Sequence, residues 1–194
     1  MSLDPQLEKQ LRHVWFKQLN KFMLLMWRLG LGWMMNIWPA GFGQIMVITH
    51  TGWKTGLRRR TPVNYAQVFG EIYCTAGFGK VAHWYKNIRA NPNVEIWLAD
   101  GWWEGVAEDI SNAENRNFLM REVMIGSGFA AYAFGLDPRK MSDEELAEIT
   151  ADYRLLHIRR TQARTGPGGP GELAWIWPVA TMLLLPLLFR RRKR

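Results

Sequence analysis

The feature that most constrains the fold is a succession of short runs of β-branched and aromatic residues with little chain between them. Turn residues separate these runs, notably Gly70 and the Asp100-Gly101 pair, which is typical of a tight hairpin. Antiparallel strands can be joined by such short turns, whereas parallel strands need long crossover connections. We therefore predict an antiparallel β-barrel of six strands, at residues 45–50, 63–68, 71–76, 94–99, 102–109 and 154–161.

Two helices are predicted on the outside of this barrel. The pairs Ser111/Glu114 and Ser142/Glu145 have the spacing of a capping box, in which two side chains cap the free N–H groups at a helix start. The first pair precedes an apolar-periodic stretch that ends near Ile125. Both segments are therefore expected to form exterior helices.

The amino-terminal segment, residues 1–38, is predicted to contain an amphipathic helix. Within residues 6–35, apolar side chains recur at steps of three and four residues, and the opposite side is basic. Two interpretations stay open. The helix covers one side of the sheet, or it lies on a membrane surface, which its basic residues and tryptophans favour.

The carboxyl-terminal part differs in composition from the predicted barrel domain, residues 39–164. Residues 165–172 are rich in glycine and proline and are predicted to be a linker. Residues 173–189 carry no charge, and a helix of that length would reach about 25 Å, the short end of a bilayer span. We expect residues 173–194 to form a single-pass transmembrane anchor with lipid as partner and the barrel on the cytoplasmic side. The alternatives are a tail in a protein groove or an interfacial helix kinked by its two prolines.

Charge and cysteine content exclude several classes of function. The formal charge is +8, from 25 basic and 17 acidic residues, but five of the positive charges lie in the terminal RRRKR sequence. Because this excess is local, we predict no nucleic-acid partner. Cys74 is the sole cysteine, which excludes an intramolecular disulfide and a cysteine-based metal cluster. The four histidines have no carboxylate at ligand spacing, so no metal site is predicted.

Two segments carry the strongest chemical signal. Between the first two predicted strands, four of the seven residues from Lys54 to Arg60 are cationic. Such side chains supply charge-assisted donors, so this loop suits phosphate or carboxylate oxygens, with an ordinary solvated loop as the alternative. Residues 76–92 combine a glycine-rich strand end with a helix start, whose N–H groups can face an anion. Together the two segments are expected to form a basic cleft at one end of the barrel.

These segments resemble the deazaflavin (F420)-dependent nitroreductase-like oxidoreductases over about residues 20–111. One motif, T-x-G-x-K-[ST]-G-x-x-R-x-T-P, is present from Thr49 or Thr51 through Pro62, and G-x-G-x-x-x-x-W-Y-x-N-[IL]-x-A-N-P runs from Gly77 to Pro92. The resemblance implies an α+β fold, a six-stranded antiparallel split β-barrel with flanking helices. The amino-terminal amphipathic helix and the carboxyl-terminal hydrophobic helix complete the predicted architecture.

The resemblance also implies a site for coenzyme F420, with FMN, haem or no cofactor as alternatives. Lys54, Arg58 and Arg60 would hold the phosphate and glutamate tail of F420, and Thr61 and Pro62 would lie beside the deazaflavin. The remaining candidates would line or support the same site: Thr55, Gly77, Phe78, Gly79, Lys80, Trp84 and Asn87.

Together with the predicted carboxyl-terminal anchor, the resemblance predicts a membrane-attached oxidoreductase that transfers hydride from reduced F420 to a hydrophobic acceptor such as a quinone. Tyr132 is the candidate catalytic residue, since its hydroxyl could donate a proton or cover the acceptor, with packing as the alternative. Trp53 and His83 depart from the family pattern and favour an alternative, a non-catalytic accessory subunit of a larger membrane complex. The resemblance makes a homodimer plausible. The redox hypothesis requires that the cations are not neutralised by neighbouring acids.

Overall fold

A computed structural model describes residues 18–37, 43–128, 131–132, 136–165 and 171–191. It confirms a closed antiparallel barrel, in which the strands follow the order β1-β2-β3-β6-β5-β4 and β4 pairs with β1. The predicted strands all form, and the second starts at residue 58 rather than 63 because residues 58–62 pair with β1. The strands are β1 (Ile45–Thr51), β2 (Arg58–Val68), β3 (Glu71–Ala76), β4 (Asn93–Leu98), β5 (Gly101–Asp109) and β6 (Arg154–Thr165).

Two tight turns lie at one end of the barrel, which we call the hairpin end. Phe69 and Gly70 join β2 to β3, and both have positive φ, 52° and 85°, as a type I′ turn requires. Ala99 and Asp100 join β4 to β5, one residue earlier than the predicted Asp100-Gly101 pair. The loops that follow β1 and β3 lie at the opposite end, the loop end, because adjacent strands are antiparallel.

The barrel interior is apolar and is closed at the loop end by a helix, α2 (His83–Ala90). Tyr85 and Ile88 of α2 join the core cluster formed by the inward side chains of the strands. A short 3₁₀ turn, Gly79–Val81, leads into α2. The fully buried strand residues of this core are Met46, Ile48, Ile72, Cys74, Ile96, Leu156 and Ile158.

The amino-terminal helix α1, described over residues 18–28, covers the outside of β1 and β4. Trp27 is buried against Val47 and Trp97, and the two indole rings lie 6.5 Å apart. The helix ends well before the predicted residue 35, because Gly30 adopts a φ of +77° and a 3₁₀ turn follows. The described part of this segment therefore packs on the sheet, and residues 1–17 lie outside the described residues.

Two further helices pack on the outer surface, as predicted: α3 (Arg116–Gly126) and α4 (Asp143–Ile149). The capping box of Ser142 and Glu145 is confirmed at the start of α4. The capping box predicted at Ser111 is wrong. The Ser111 hydroxyl instead donates to the Asp109 carboxylate and accepts from the Leu155 backbone N–H, so it joins β5 to β6.

The carboxyl-terminal helix α5 spans Ile176–Arg191, and residues 172–175 before it form a turn. Its 16 residues would extend about 24 Å, less than the hydrocarbon thickness of a typical bilayer. In the described part of the chain, no helix combines the length and the apolar content that a bilayer crossing requires. The predicted transmembrane span over residues 173–194 is therefore not supported. Most of the predicted linker, residues 166–170, lies outside the described residues.

Candidate active site

The barrel topology brings the two predicted motifs to the same end of the molecule. The loop at residues 52–57 follows β1 and the loop at residues 77–82 follows β3, so both lie at the loop end. A hydrogen bond fastens the first loop to α2, since the Trp53 backbone N–H donates to Asn87 Oδ1 at 3.0 Å. Asn87, predicted to support this region, is thus a buried bridge between the two motifs.

A buried chain of hydrogen bonds runs from this bridge to β2. Asn87 Nδ2 lies 3.0 Å from His50 Nδ1, and His50 Nε2 lies 3.0 Å from Thr61 Oγ1. Burial, helped by the charge of Arg59, lowers the pKa of His50 to about 4, so the ring is neutral at pH 7. With Asn87 donating to Nδ1, the Nε2–H group donates to Thr61. The Thr61 hydroxyl therefore keeps its own proton for another acceptor.

The strand register divides the predicted site residues between two faces of β2. Thr61 pairs with Ile48 and shares the inward face of the barrel with it. Arg58, Arg60 and Pro62 alternate with it and point outward, as the period of a β-strand dictates. Arg58 and Arg60 thus form a row on the outer face of the barrel near the loop end, which we call the cationic row.

The outward arginines are paired with acids, which corrects the prediction that Lys54, Arg58 and Arg60 form one free cationic group. Arg58 forms an ion pair with Glu95 of β4, which lies on the far side of β1 from β2. Arg60 contacts both carboxylate oxygens of Glu172 from the carboxyl-terminal segment. Each acid is brought to its arginine by tertiary structure.

The exposed loop at residues 52–57 supplies the other cation of the predicted group. The Lys54 ammonium lies 4.8 Å from the centre of the exposed Trp53 ring, and neighbouring Thr55 is also exposed. Lys80 is exposed on the second loop. Within the described ranges, neither lysine has an ion-pair partner. These two lysines are therefore available to an anionic ligand at the loop end.

Some residues of the second motif are required by the packing of the loop itself. Gly79 adopts a φ of +58°, and an added Cβ would lie 2.3 Å from the Asp152 carbonyl oxygen, so only glycine fits there. An added Cβ at Gly77 would meet nothing closer than 3.7 Å. Trp84 packs against the barrel core, and Phe78 is largely exposed. Gly77, Phe78 and Lys80 are thus free to contact a ligand, whereas Gly79 and Trp84 shape the loop.

A shallow depression of about 330 Å³ lies beside the first loop. Two cationic side chains that line it, Lys86 and Arg89, lie within the second motif but are not among the predicted site residues. Arg89 pairs with Asp109, which also accepts from the Tyr85 hydroxyl. Burial and this carboxylate raise the pKa of Tyr85, which favours its neutral form. The depression is lined by Trp53, Tyr85, Lys86, Arg89 and Ala90.

Tyr132 lies away from the cationic row. It follows Ala131, which is buried with Ala66 and Val68 on the outside of β2 at the hairpin end. Arg58 is at the opposite end of the same strand. The Tyr132 side chain is half-exposed, and its catalytic role stays a prediction.

A comparison with known protein families identifies the family of this chain. A model of the F420H(2)-dependent quinone reductase family matches residues 33–141, which is more than half of the chain. The chain belongs to the F420H2-dependent quinone reductase family. It is therefore an F420-dependent oxidoreductase, and its cofactor is coenzyme F420.

Solved structures similar to this quinone reductase family member have low sequence identity to it. A conserved hypothetical protein, Rv2991 from Mycobacterium tuberculosis, is 20% identical over 64% of this chain and 78% of its own, with a TM-score of 0.48. The F420-H2 dependent reductase FDR-A is 22% identical over 60% of this chain and 93% of its own, with a TM-score of 0.42. HutZ from Vibrio cholerae, described as a heme storage protein, is 12% identical over 62% and 83%, with a TM-score of 0.44. Among curated protein sequences, none matches this chain.

The residues of this family member fit the anionic groups of F420. In the structure, the Arg60 guanidinium already binds a carboxylate through two nitrogens, which is the geometry that a carboxylate or phosphate of a ligand would use. The same guanidinium lies 4.5 Å from the centre of the Trp97 ring, which holds it in place. The donor set thus matches the phosphate and glutamate tail that the resemblance assigns to it.

Sequence reasoning missed the acids that pair with these cations and two further arginines. Arg28, at the end of α1, contacts Glu172 at 3.1 Å. Arg164 of β6 contacts Glu95, as Arg58 does. Chain separations of 37 residues for Arg58–Glu95 and 112 for Arg60–Glu172 leave no local sequence signal for these pairs.

Proposed function

We propose that this chain transfers hydride from reduced F420 to a quinone-like hydrophobic acceptor at a membrane surface. Bound F420 in its reduced form supplies the hydride from a ring carbon. The redox hypothesis required cations free of neighbouring acids, and Arg58 and Arg60 do not meet that requirement. Family membership nevertheless supports the catalytic function over the accessory-subunit alternative. The single observation that carries the proposal is the cationic row at the start of β2, where Arg60 holds a carboxylate.

The protein residues would bind and orient the cofactor. Lys54, Arg58 and Arg60 would hold the anionic side chain of F420 along the outer face of β2. Thr61 faces the barrel interior, on the side of β2 opposite this row, so its hydroxyl would fix the position of the strand start through the hydrogen bond with His50 rather than contact the ring.

Membrane association is proposed from exposed apolar side chains on two neighbouring segments. In α1 and the turn after it, Phe22, Leu25 and Trp33 are about half-exposed. In α5, the side chains of residues 182–185 are between 49% and 74% exposed. Exposed apolar surface of this extent is typical of a contact with a membrane or a protein.

The two apolar segments are joined, which lets them act as one surface. Trp177 Nε1 donates to the Leu29 carbonyl at 2.9 Å. Exposed Lys21 and the terminal RRRKR sequence supply positive charge for anionic headgroups. We propose that this surface lies in the plane of the interface and does not cross the bilayer. A quinone dissolved in the bilayer would then be concentrated near the site.

The cofactor part of the proposal is tested by calorimetric titration with F420. The wild-type protein should bind with micromolar affinity or better, and a Lys54→Ala/Arg58→Ala double variant should lose about tenfold or more, because two charge-assisted contacts disappear. Arg139→Ala/Lys140→Ala removes the same charge at a distant exposed turn and should change the affinity less than about twofold. Equal losses in both variants, or no binding by the wild type, would contradict the proposal.

The membrane part is tested by sedimentation with vesicles that contain anionic phospholipid. The wild-type protein should sediment with the vesicles, and Leu183→Glu/Leu184→Glu should stay in the supernatant because charge on the apolar face opposes burial. Gln67→Glu/Gln162→Glu adds the same charge to exposed barrel positions and should sediment like the wild type. If the wild-type protein stays in the supernatant, this part of the proposal is contradicted.

A further inference from the structure

The carboxyl-terminal segment is held against the cationic row by specific contacts. We call residues 171–177 the strap. The Leu173 backbone N–H donates to the Arg28 carbonyl at 2.8 Å, and the Trp177 indole donates to the carbonyl of Leu29, the residue after α1. Immediately before these contacts in the chain, Glu172 projects its carboxylate to Arg60 and Arg28. The strap therefore brings a negative charge into the row that is proposed for F420.

A buried hydroxyl close to Arg60, that of Thr49, forms no hydrogen bond with the strap. Thr49 of β1 is in register with Arg60 on one side and with Glu95 on the other. Its hydroxyl is buried, with the residue only 4% exposed, and it has no hydrogen-bond partner among the described residues. A buried hydroxyl without a partner costs free energy, so it marks a place where a polar ligand or water gains stabilisation.

We propose that Arg28 and Arg60 form an oxyanion site, that Glu172 is its internal ligand, and that the phosphate or a carboxylate of F420 displaces Glu172 from it. This inference rests on the proposed function. Arg60 presents one planar set of donors, and Glu172 already occupies two of its nitrogens. The internal carboxylate and a cofactor anion therefore compete for the same atoms.

Displacement of Glu172 from Arg60 by another anion requires little free energy. The Arg60 and Glu172 side chains are both about one-third exposed, and such partly solvated ion pairs contribute little net free energy. Arg60 remains oriented by the Trp97 ring after Glu172 leaves, so the site stays organised for the incoming anion. Glu172 is a persistent competitor at neutral pH, since the hydrogen bond from Arg60 lowers the pKa of its carboxyl.

The first test compares the F420 affinity of the wild-type protein and the Glu172→Gln variant. The variant keeps the shape of the side chain but loses the competing charge, so it should bind F420 about threefold to tenfold more tightly. Glu148→Gln, an exposed position on α4, is the matched control and should bind like the wild type. Equal affinities for all three proteins would overturn the inference.

The second test follows the strap itself by hydrogen–deuterium exchange. Saturating F420 should accelerate exchange in the peptide that contains Leu173. Release of Glu172 from its arginines would weaken the hydrogen bond from the Leu173 N–H to the Arg28 carbonyl. Inorganic phosphate should do the same more than chloride at equal ionic strength. Exchange that F420 leaves unchanged while it binds would overturn the inference and leave the proposed function intact.

The two tests separate the failure of each proposal. If F420 does not bind but phosphate accelerates exchange in the strap, the oxyanion site stands and both the cofactor assignment and displacement by F420 fail. If phosphate has no effect beyond that of chloride and Glu172→Gln does not tighten F420 binding, Arg28 and Arg60 serve only to anchor the strap.

Discussion

The barrel interior at the loop end and the outer face of β2 hold polar groups in opposite ways. Inside, the buried residues His50 and Asn87 and the partly buried Thr61 form a chain in which each member has a specific partner. Outside, Arg58 and Arg60 meet acids in pairs that are partly open to solvent. The interior chain can change only at a high cost in stability, whereas the outer pairs can exchange one anion for another.

This difference assigns separate tasks to the two regions. A buried polar group that loses its partner costs about 1–3 kcal/mol, while an exposed ion pair contributes about 0–1 kcal/mol. The interior therefore fixes the position of the β2 start and of the loop at residues 52–57. The outer face remains adaptable because its contacts are individually weak, which suits a surface that must accept and release a charged cofactor.

The largest expected effect is at the loop that leads into α2. Gly79→Ala should lower the free energy of unfolding by about 3 kcal/mol or more, since the new Cβ meets the Asp152 carbonyl at a positive φ. Gly77→Ala, two residues away where the new Cβ makes only ordinary van der Waals contact with Tyr153, should cost less than about 1 kcal/mol. Urea unfolding followed by circular dichroism measures both. Similar costs at the two positions would show that the rigid interior does not extend to this loop.

The next effect is a pH dependence from the interior chain. Folding keeps His50 neutral down to about pH 4, whereas the unfolded ring takes up a proton near pH 6.5. The unfolded state thus binds more protons in this window, so stability is complete above it and falls by up to about 3 kcal/mol as the pH drops through it. Urea unfolding across the window should show a shallower slope for His50→Gln than for the wild type.

His83→Gln provides the control for that pH dependence, because His83 is exposed at the start of α2. It should retain the slope of the wild-type protein. If His83→Gln flattens the profile as much as His50→Gln does, the buried chain is not the source of the acid sensitivity.

The smallest expected effect on stability is on the outer face. Arg58→Gln should lower the free energy of unfolding by less than about 1 kcal/mol, because the Arg58 side chain is 61% exposed and Arg164 still contacts Glu95. The same variant should weaken F420 binding about threefold to tenfold. A variant with a large loss of stability and unchanged F420 affinity would reverse the assignment of tasks to the two regions.

The sequence predicts the barrel well because local rules and tertiary structure agree there. The turn at Phe69-Gly70 combines a glycine with strands of alternating burial, and the structure forms it where expected. The capping box at Ser142 succeeds for the same reason. At Ser111 the local pattern predicts a helix cap, but the hydroxyl instead accepts a hydrogen bond from the Leu155 backbone N–H of β6. Helix α3 therefore starts later in the chain, at Arg116.

The site is predicted less completely because its decisive contacts are distant in the chain. Sequence motifs identify Lys54 and the arginines as cations, and the register then separates Thr61 from Arg60 onto opposite faces. No local pattern shows that Glu172, in a segment predicted to be a linker, reaches Arg60. The uncharged run before the terminal arginines predicts a helix correctly, but its length in the structure is set by the turn at residues 172–175.

A double-mutant cycle in F420 affinity tests most directly whether the outer face works by anion exchange. Arg60→Gln should weaken binding about tenfold, and Glu172→Gln should strengthen it in the wild-type background. In the Arg60→Gln background, the same change at Glu172 should have a clearly smaller effect, because only the contact of Glu172 with Arg28 remains. A gain from Glu172→Gln of equal size in both backgrounds would contradict competition for Arg60.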